Sequence, residues 1–160
     1  MTPTADLCDE HADEIQVIEL PWRSYGAVPA FSGTVHTVKC HEDNTLVREA
    51  LTEPGNGRVL VVDGGGSFRC ALVGDRLATK AVDNGWSGVL VYGCIRDSKP
   101  IGEIAVGVMA LGTCPRKSIK RGHGVRGETL RFGNAVIAEG SWVAADEDGV
   151  IVATESLRLG

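Results

Sequence analysis

Apolar residues fall in short blocks punctuated by glycine, and the blocks carry two different periods. Arg58-Val59-Leu60-Val61-Val62-Asp63 and Gly88-Val89-Leu90-Val91-Tyr92-Gly93 are continuous apolar runs rich in β-branched residues, the pattern of strands buried on both faces. Between them Leu77, Ala78, Ala81 and Val82 recur at helical spacing over Asp75 to Asn84, and Gly85 stops the run. Strand, helix and strand in this order predict a right-handed parallel crossover with helices covering the sheet.

The flanks are more mixed. Thr2-Pro3 predicts a capped helix from Ala5 to Ile15 with proline in its first turn. Thr34 to Cys40 alternates as a strand, Asn44 to Leu51 predicts a short helix, and Ile104 to Leu111 a further strand. Leu130 to Glu139 and Trp142 to Ala153 read as β segments, the second broken by a hairpin signal at Asp148-Gly149. No linker, repeat or low-complexity tract intervenes. The expectation is one α/β domain over residues 1–160, with a parallel central unit and antiparallel C-terminal hairpins.

Composition narrows the function classes. A chain of 160 residues suits a single core, and its 21 glycines favour tight turns and backbone close to a ligand. The net charge of -5 argues against a protein built to grip nucleic acid. Five scattered cysteines without a C-x-x-C pair read as reduced thiols, not as a structural zinc site. The first residues lack the basic and apolar regions of a signal peptide, and no apolar run approaches the ~20 residues needed to span a bilayer. A cytoplasmic protein with no membrane contact is expected.

Several motifs are decoys. Gly122-His123-Gly124-Val125-Arg126-Gly127 fits G-x-G-x-x-G, but no apolar strand precedes it and no helix pattern follows. Asp63-Gly64-Gly65-Gly66-Ser67 imitates a methyltransferase glycine turn, yet reads better as a strand end that lets another backbone approach. The basic cluster Arg116, Lys117, Lys120, Arg121, Arg126 and Arg131 has no interleaved aromatics for base stacking, so it is read as a solvated loop or subunit contact. Lys80 and Lys99 are read as solvated. His11, His36, His41 and His123 show no metal-ligand spacing.

The chemistry concentrates where the parallel unit brings two points together. Gly74-Asp75-Arg76-Leu77 opens the crossover helix, and Arg96-Asp97 follows the carboxyl end of the next strand, where ligands collect in parallel α/β sheets. Free N–H groups of Arg76 and Leu77 would form a carboxylate site at the helix N-terminus. Arg96 could clamp a carboxylate or enolate oxygen. Asp97 offers a hard oxygen to Mg²⁺ or Mn²⁺, with Asp75 holding a metal-bound water. Spacing alone leaves the plainer reading open as well: Asp75 as a helix cap, and Arg96-Asp97 as surface charges.

Five motifs in order decide between them. Asp63-Gly64-Gly65-Gly66-Ser67, Ala71-Leu72-Val73-Gly74-Asp75, Gly93-Cys94-Ile95-Arg96-Asp97, Ala110-Leu111-Gly112-Thr113-Cys114-Pro115-Arg116-Lys117 and Asp146-Glu147-Asp148-Gly149-Val150 resemble the RraA-like family, over roughly Thr4 to Thr154. That family includes class II 4-hydroxy-4-methyl-2-oxoglutarate aldolases and regulators of ribonuclease E activity. The resemblance implies a layered α/β/α-type domain with swivelling β/β/α topology, assembled as a homotrimer with active sites at subunit interfaces. It implies Asp97 as ligand of a divalent cation (Mg²⁺, Mn²⁺ or Co²⁺) and Arg96 as substrate-binding and enolate-stabilising residue. It also implies Asp75 as the residue positioning metal-bound water, and Gly74 to Leu77 as the cradle of a 2-oxo acid carboxylate. The implied activities are aldol cleavage and oxaloacetate decarboxylation, with inhibition of ribonuclease E as the alternative. Two departures are visible. The position three beyond Asp97, acidic in many members, is Pro100, with Glu103 the nearest acid. A glutamate that characterised aldolases receive from a neighbour's longer C-terminal region has no counterpart before Gly160, which favours decarboxylation over cleavage of large hydroxy-diacids.

Overall fold

The computed structural model describes every residue from Met1 to Gly160. Its first half runs α1 (Thr4–Glu10), β1 (Gln16–Val17), β2 (Arg23–Ser24), β3 (Phe31–Lys39), α2 (Thr45–Thr52), β4 (Val59–Asp63), β5 (Ala71–Val73) and α3 (Asp75–Asp83). Then follow β6 (Gly88–Ile95), α4 (Ser98–Ile101), β7 (Gly107–Thr113), β8 (Val125–Arg126), β9 (Leu130–Phe132), β10 (Ala135–Ile137), β11 (Trp142–Asp146) and β12 (Gly149–Ala153). No helix is long and apolar enough to cross a membrane.

One mixed sheet organises these elements in the order β1-β12-β11-β3-β4-β6-β7-β2. Its centre, β3-β4-β6-β7, is parallel, and β11, β12, β1 and β2 add antiparallel edges. The alternation inside β4 shows how both faces are filled. Leu60 and Val62 join the core beneath α2 and α3, with Val47, Leu51, Leu77 and Ala81. Val59 and Val61 face the other way, into a core completed by the β9–β10 hairpin and by one face of β11 and β12. The face opposite α2 and α3 is therefore covered by β structure, and α1 packs outside it through Leu7 against Trp142, Ala144 and Ile151. This is the β/β/α layering of the expected fold.

Several boundaries differ from the pattern reading, each for a tertiary reason. The first helix ends at Glu10, not Ile15, because Gln16 and Val17 are recruited to pair with β12. Its cap is not a Thr2 side chain: the Asp146 carboxylate accepts both the N–H and the hydroxyl of Thr4 at 2.7 Å. Strand β3 begins three residues before Thr34, since its first part pairs with β11. Residues 130–139 form a hairpin turning at Gly133-Asn134, both at φ +58°, the backbone a tight two-residue turn requires. The C-terminal hairpin turns at Glu147-Asp148, one position before the Asp148-Gly149 signal. The pattern missed β5 altogether, a three-residue strand too short to show a period.

That short strand positions the site. Residues Gly88 to Tyr92 of β6 pair with β4, but Cys94 and Ile95, beyond Gly93, pair with Ala71 and Val73 of β5 on the same edge. The chain leaves β4 through Gly64-Gly65-Gly66 and returns beside the last residues of β6. So α3 starts next to Arg96 and Asp97.

Packing across the sheet turns on one ring. Gly88 and Gly107 are paired on β6 and β7, and Phe31 lies over both: a Cβ would fall 2.3 Å from its ring at Gly88 and 2.1 Å at Gly107. Overpacking a filled core costs about 1–3 kcal/mol. Gly107→Ala should therefore lower the melting temperature by several degrees in a thermal unfolding scan, with the folded circular dichroism spectrum retained.

Candidate active site

Strand β6 ends in a turn built from backbone. The Arg96 N–H donates to Val73 O at 2.9 Å, carrying the β5–β6 pairing one residue further. Asp97 then adopts the left-handed conformation, φ +58° and ψ +39°, an arrangement Asp tolerates better than most residues. Its carbonyl accepts the Ile101 N–H at 3.0 Å and starts α4. The turn directs the Asp97 carboxylate onto the first turn of α3, where Oδ2 accepts the Asp75 N–H at 3.1 Å. A Cβ at Gly74 would sit 2.8 Å from that oxygen and 3.7 Å from Arg96 Nε, so glycine leaves the space in which both side chains approach the helix.

All six residues singled out in the sequence, Gly74, Asp75, Arg76, Leu77, Arg96 and Asp97, line one cleft of about 420 Å³. Asn44, Arg48, Lys80, Lys117, Ser118 and Lys120 complete its polar lining. Six cations (Arg48, Arg76, Lys80, Arg96, Lys117, Lys120) thus face two acids, Asp75 and Asp97, on a chain whose net charge is -5. None of the six is engaged in an ion pair; the salt bridges lie elsewhere. A concave surface lined this way concentrates small anions. The N–H groups of Arg76 and Leu77 find no acceptor within the chain, whereas that of Asp75 is spent on Asp97. Two donors, not three, are left at this helix N-terminus for a carboxylate.

The acids fit a hard divalent cation. Asp97 Oδ1 makes no hydrogen bond, and the Asp75 carboxylate has no partner. No group of three or more His, Cys, Asp or Glu is gathered here. The protein would supply one carboxylate, or two, with water completing the shell, as magnesium accepts.

Lysines read as solvated divide in the structure. Lys80 and Lys117 line the cleft, and Lys99 does not. Lys80 had a signal, since it lies four residues after Arg76 and so on the same helix face. Lys117, Ser118 and Lys120 had none: they reach the cleft because segment 116–117 runs beside β5, with the Ala71 N–H donating to Arg116 O at 2.8 Å. The basic cluster therefore splits. Arg126 leaves it to bind Glu53 at 2.6 Å and Glu49 at 3.1 Å, and holds the Glu53 carboxyl below its usual range. Glu103, the nearest acid after Asp97, is exposed outside the cleft. Buried thiols offer no nucleophile, with Cys40 pushed up to about 12 by burial.

The glycine motifs have structural roles. Gly64 and Gly66 donate their N–H groups to Tyr92 O, and a Cβ at Gly64 would strike Leu72 at 2.5 Å, so the turn is filled by β6 and leads into a strand. Segment 122–127 turns into β8, which pairs antiparallel with β3, and no helix follows it.

Comparison with known proteins identifies the family. The chain is 56% identical to a protein of Alkalilimnicola ehrlichii over 97% of its own length and 96% of that protein's. It is 54% identical to one of Laribacter hongkongensis over 96% and 97%. Both are provisionally named 4-hydroxy-4-methyl-2-oxoglutarate aldolase. Among solved structures, a Geobacillus kaustophilus protein described as S-adenosylmethionine:2-dimethylmenaquinone methyltransferase superposes with a TM-score of 0.96 at 54% identity, covering 99% of this chain and all of that one. The RNA-processing inhibitor RraA from Thermus thermophilis superposes at 0.95 with 40% identity, covering 99% and 96%. The family model described as Aldolase/RraA matches residues 4–152, and the chain belongs to this RraA-like family.

Proposed function

We propose that the chain is a divalent-metal-dependent carbon–carbon lyase of small 2-oxo acids, cleaving 4-hydroxy-4-methyl-2-oxoglutarate and decarboxylating oxaloacetate. The observation that carries this reading is the juxtaposition at Gly74: an unpartnered carboxylate edge, a guanidinium and two free helix N–H groups meet in a cleft ringed by unpaired cations. The relatives provisionally named aldolases, similar over nearly their whole length, support it.

The residues divide the work by chemistry. The N–H groups of Arg76 and Leu77 receive the C1 carboxylate, aided by the helix dipole. Asp97, with Asp75 on the surrounding water, would hold Mg²⁺, Mn²⁺ or Co²⁺, which when bound supplies Lewis-acid polarisation of the 2-oxo group. Arg96 donates to the oxo oxygen, whose negative charge grows as the C3–C4 bond breaks and an enolate forms. A donor aimed at charge that develops in the transition state is usually the largest catalytic contribution. Arg48, Lys80, Lys117 and Lys120 offer charge for a second carboxylate, which both substrates carry. In retro-aldol cleavage the C4 hydroxyl gives its proton to water and C4 leaves as the carbonyl of a second pyruvate. In decarboxylation C4 leaves as CO₂. Either way the same enolate remains and takes a proton at C3 from water, so one site serves both reactions.

A second reading has its own support in the 40%-identical RNA-processing inhibitor RraA: a non-catalytic regulator that binds ribonuclease E. The Geobacillus description brings no third, because the glycine turn a methyl donor would need is filled by Tyr92 and Leu72.

Purified protein should form pyruvate from oxaloacetate above the Mg²⁺-only background in a coupled dehydrogenase assay, and EDTA should abolish the rate. A rate equal to background, with metal-independent capture of ribonuclease E, would reverse the order of the two readings. Arg96→Ala should reduce turnover ~10²–10³-fold while the circular dichroism spectrum is unchanged.

The family's trimer also belongs to this proposal. Phe68, Ile119 and Val125 are large apolar residues left exposed, and Ile119 adjoins the cleft residue Ser118. Light scattering should give the mass of a homotrimer; a monomer at micromolar concentration would remove the shared-interface site.

A further inference from the structure

The mechanism proposed above assigns no role to the most completely hydrogen-bonded acid in the molecule. Asp43 is 1% exposed and lies outside the group that would touch substrate. Its Oδ1 accepts the Thr45 N–H at 2.9 Å and the Thr45 hydroxyl at 2.7 Å, at the start of α2. Its Oδ2 accepts the N–H groups of Arg121 at 2.8 Å and His123 at 3.2 Å, from a segment some eighty residues further along the chain. Burial alone would raise this carboxyl. The donors of Thr45, Arg121 and His123 outweigh it and hold Asp43 far below the usual carboxylate range, so it stays ionised.

The neighbours complete a clamp. Thr45 Oγ1, while donating to Asp43, accepts the Gly122 N–H at 3.1 Å, and the Ile119 N–H donates to Glu42 O at 3.1 Å. At the other end, Arg116 O is held by the Ala71 N–H on β5. Segment 116–123 is thus tied at both ends, and between the ties Lys117, Ser118 and Lys120 enter the cleft while Ile119 points outward. Nothing else in the chain holds those two lysines, which form no ion pair. A buried carboxylate accepting backbone N–H groups fixes a loop more firmly than lysine side chains could fix themselves.

We propose that Asp43 is a positioning residue: it anchors segment 116–123 to α2 and so sets Lys117 and Lys120 in the cleft with Arg96 and Asp97, where a substrate's second carboxylate binds. This rests on the lyase reading for the substrate, but not for the clamp. Asp43→Asn puts an amide where two N–H donors converge, so the segment should loosen. KM for 4-hydroxy-4-methyl-2-oxoglutarate, whose second carboxylate is not part of the bond that breaks, should rise about tenfold, with kcat within about twofold, since the chemistry at Arg96 and Asp97 is untouched.

A double-mutant cycle and amide exchange separate this from general destabilisation. In a Lys117→Ala/Lys120→Ala background, adding Asp43→Asn should raise KM no further, because the groups through which it acts are gone. Hydrogen exchange at the amides of Arg121 and His123 should quicken in Asp43→Asn, and this readout holds even if wild-type protein turns over no 4-hydroxy-4-methyl-2-oxoglutarate, an outcome that would count against the lyase alone. Multiplicative KM effects, an unchanged KM with quickened exchange, or unchanged exchange would each overturn the role. Should Asp43→Asn not fold, Thr45→Val removes only the bridging hydroxyl; a smaller KM rise in the same direction supports the clamp, and wild-type KM with wild-type exchange contradicts it.

Discussion

A single hydrogen bond, from the Asp75 N–H to Asp97 Oδ2, joins the two halves of the site and depends on nearly every local feature around it. It requires β5 to pair with the end of β6, which in turn requires the chain to leave β4 through three glycines. It requires a residue without a Cβ at position 74 and a left-handed backbone at position 97. Left-handed non-glycine residues are costly and persist where the surrounding structure over-determines them, often at functional sites. Here the Arg96 N–H to Val73 O bond before the turn and the Ile101 N–H to Asp97 O bond after it supply that determination. The bond also orients the metal-binding candidate: with Oδ2 engaged by the helix, Oδ1 is the oxygen left for a cation.

Charge is distributed with the same economy. The protein is acidic overall, yet six unpaired cations surround two acids in one cleft. Cations that are not neutralised within the chain repel one another, and the arrangement makes sense when an anionic ligand completes it. The proposed dicarboxylate with a 2-oxo group would meet each part: helix N–H groups and Arg96 for one carboxylate and the oxo group, the remaining cations for the other. The wall carrying Lys117 and Lys120 comes from a distant segment, so its placement needs an anchor of its own, and the buried Asp43 carboxylate supplies one.

How far this was legible depends on how local each determinant is. The strands Val59–Asp63 and Gly88–Ile95 and the helix Asp75–Asp83 announce themselves by period, because packing on both sheet faces dictates their composition. The crossover then places Gly74 and Arg96-Asp97 together by topology, without any knowledge of side-chain positions. Lys80 follows from helix geometry once Arg76 is placed. Lys117, Ser118 and Lys120 lie out of reach: their approach depends on β5, on the bridge between Ala71 and Lys117, and on Asp43, all contacts between distant positions. The first helix ends five residues before its sequence pattern predicts for the same reason, since the pairing of Gln16 with Val152 leaves no mark in local periodicity.

A metal stands at the centre of the proposed chemistry, and the ligand proposed for it is one named carboxylate, Asp97. Calorimetric titration of Mn²⁺ into wild-type, Arg96→Ala and Asp97→Ala proteins, each checked for folding by circular dichroism, tests it directly. Saturable binding should appear in the wild type, persist in Arg96→Ala and vanish in Asp97→Ala. Wild-type affinity in Asp97→Ala would place the metal elsewhere and contradict the site, as would loss of binding in Arg96→Ala equal to that in Asp97→Ala.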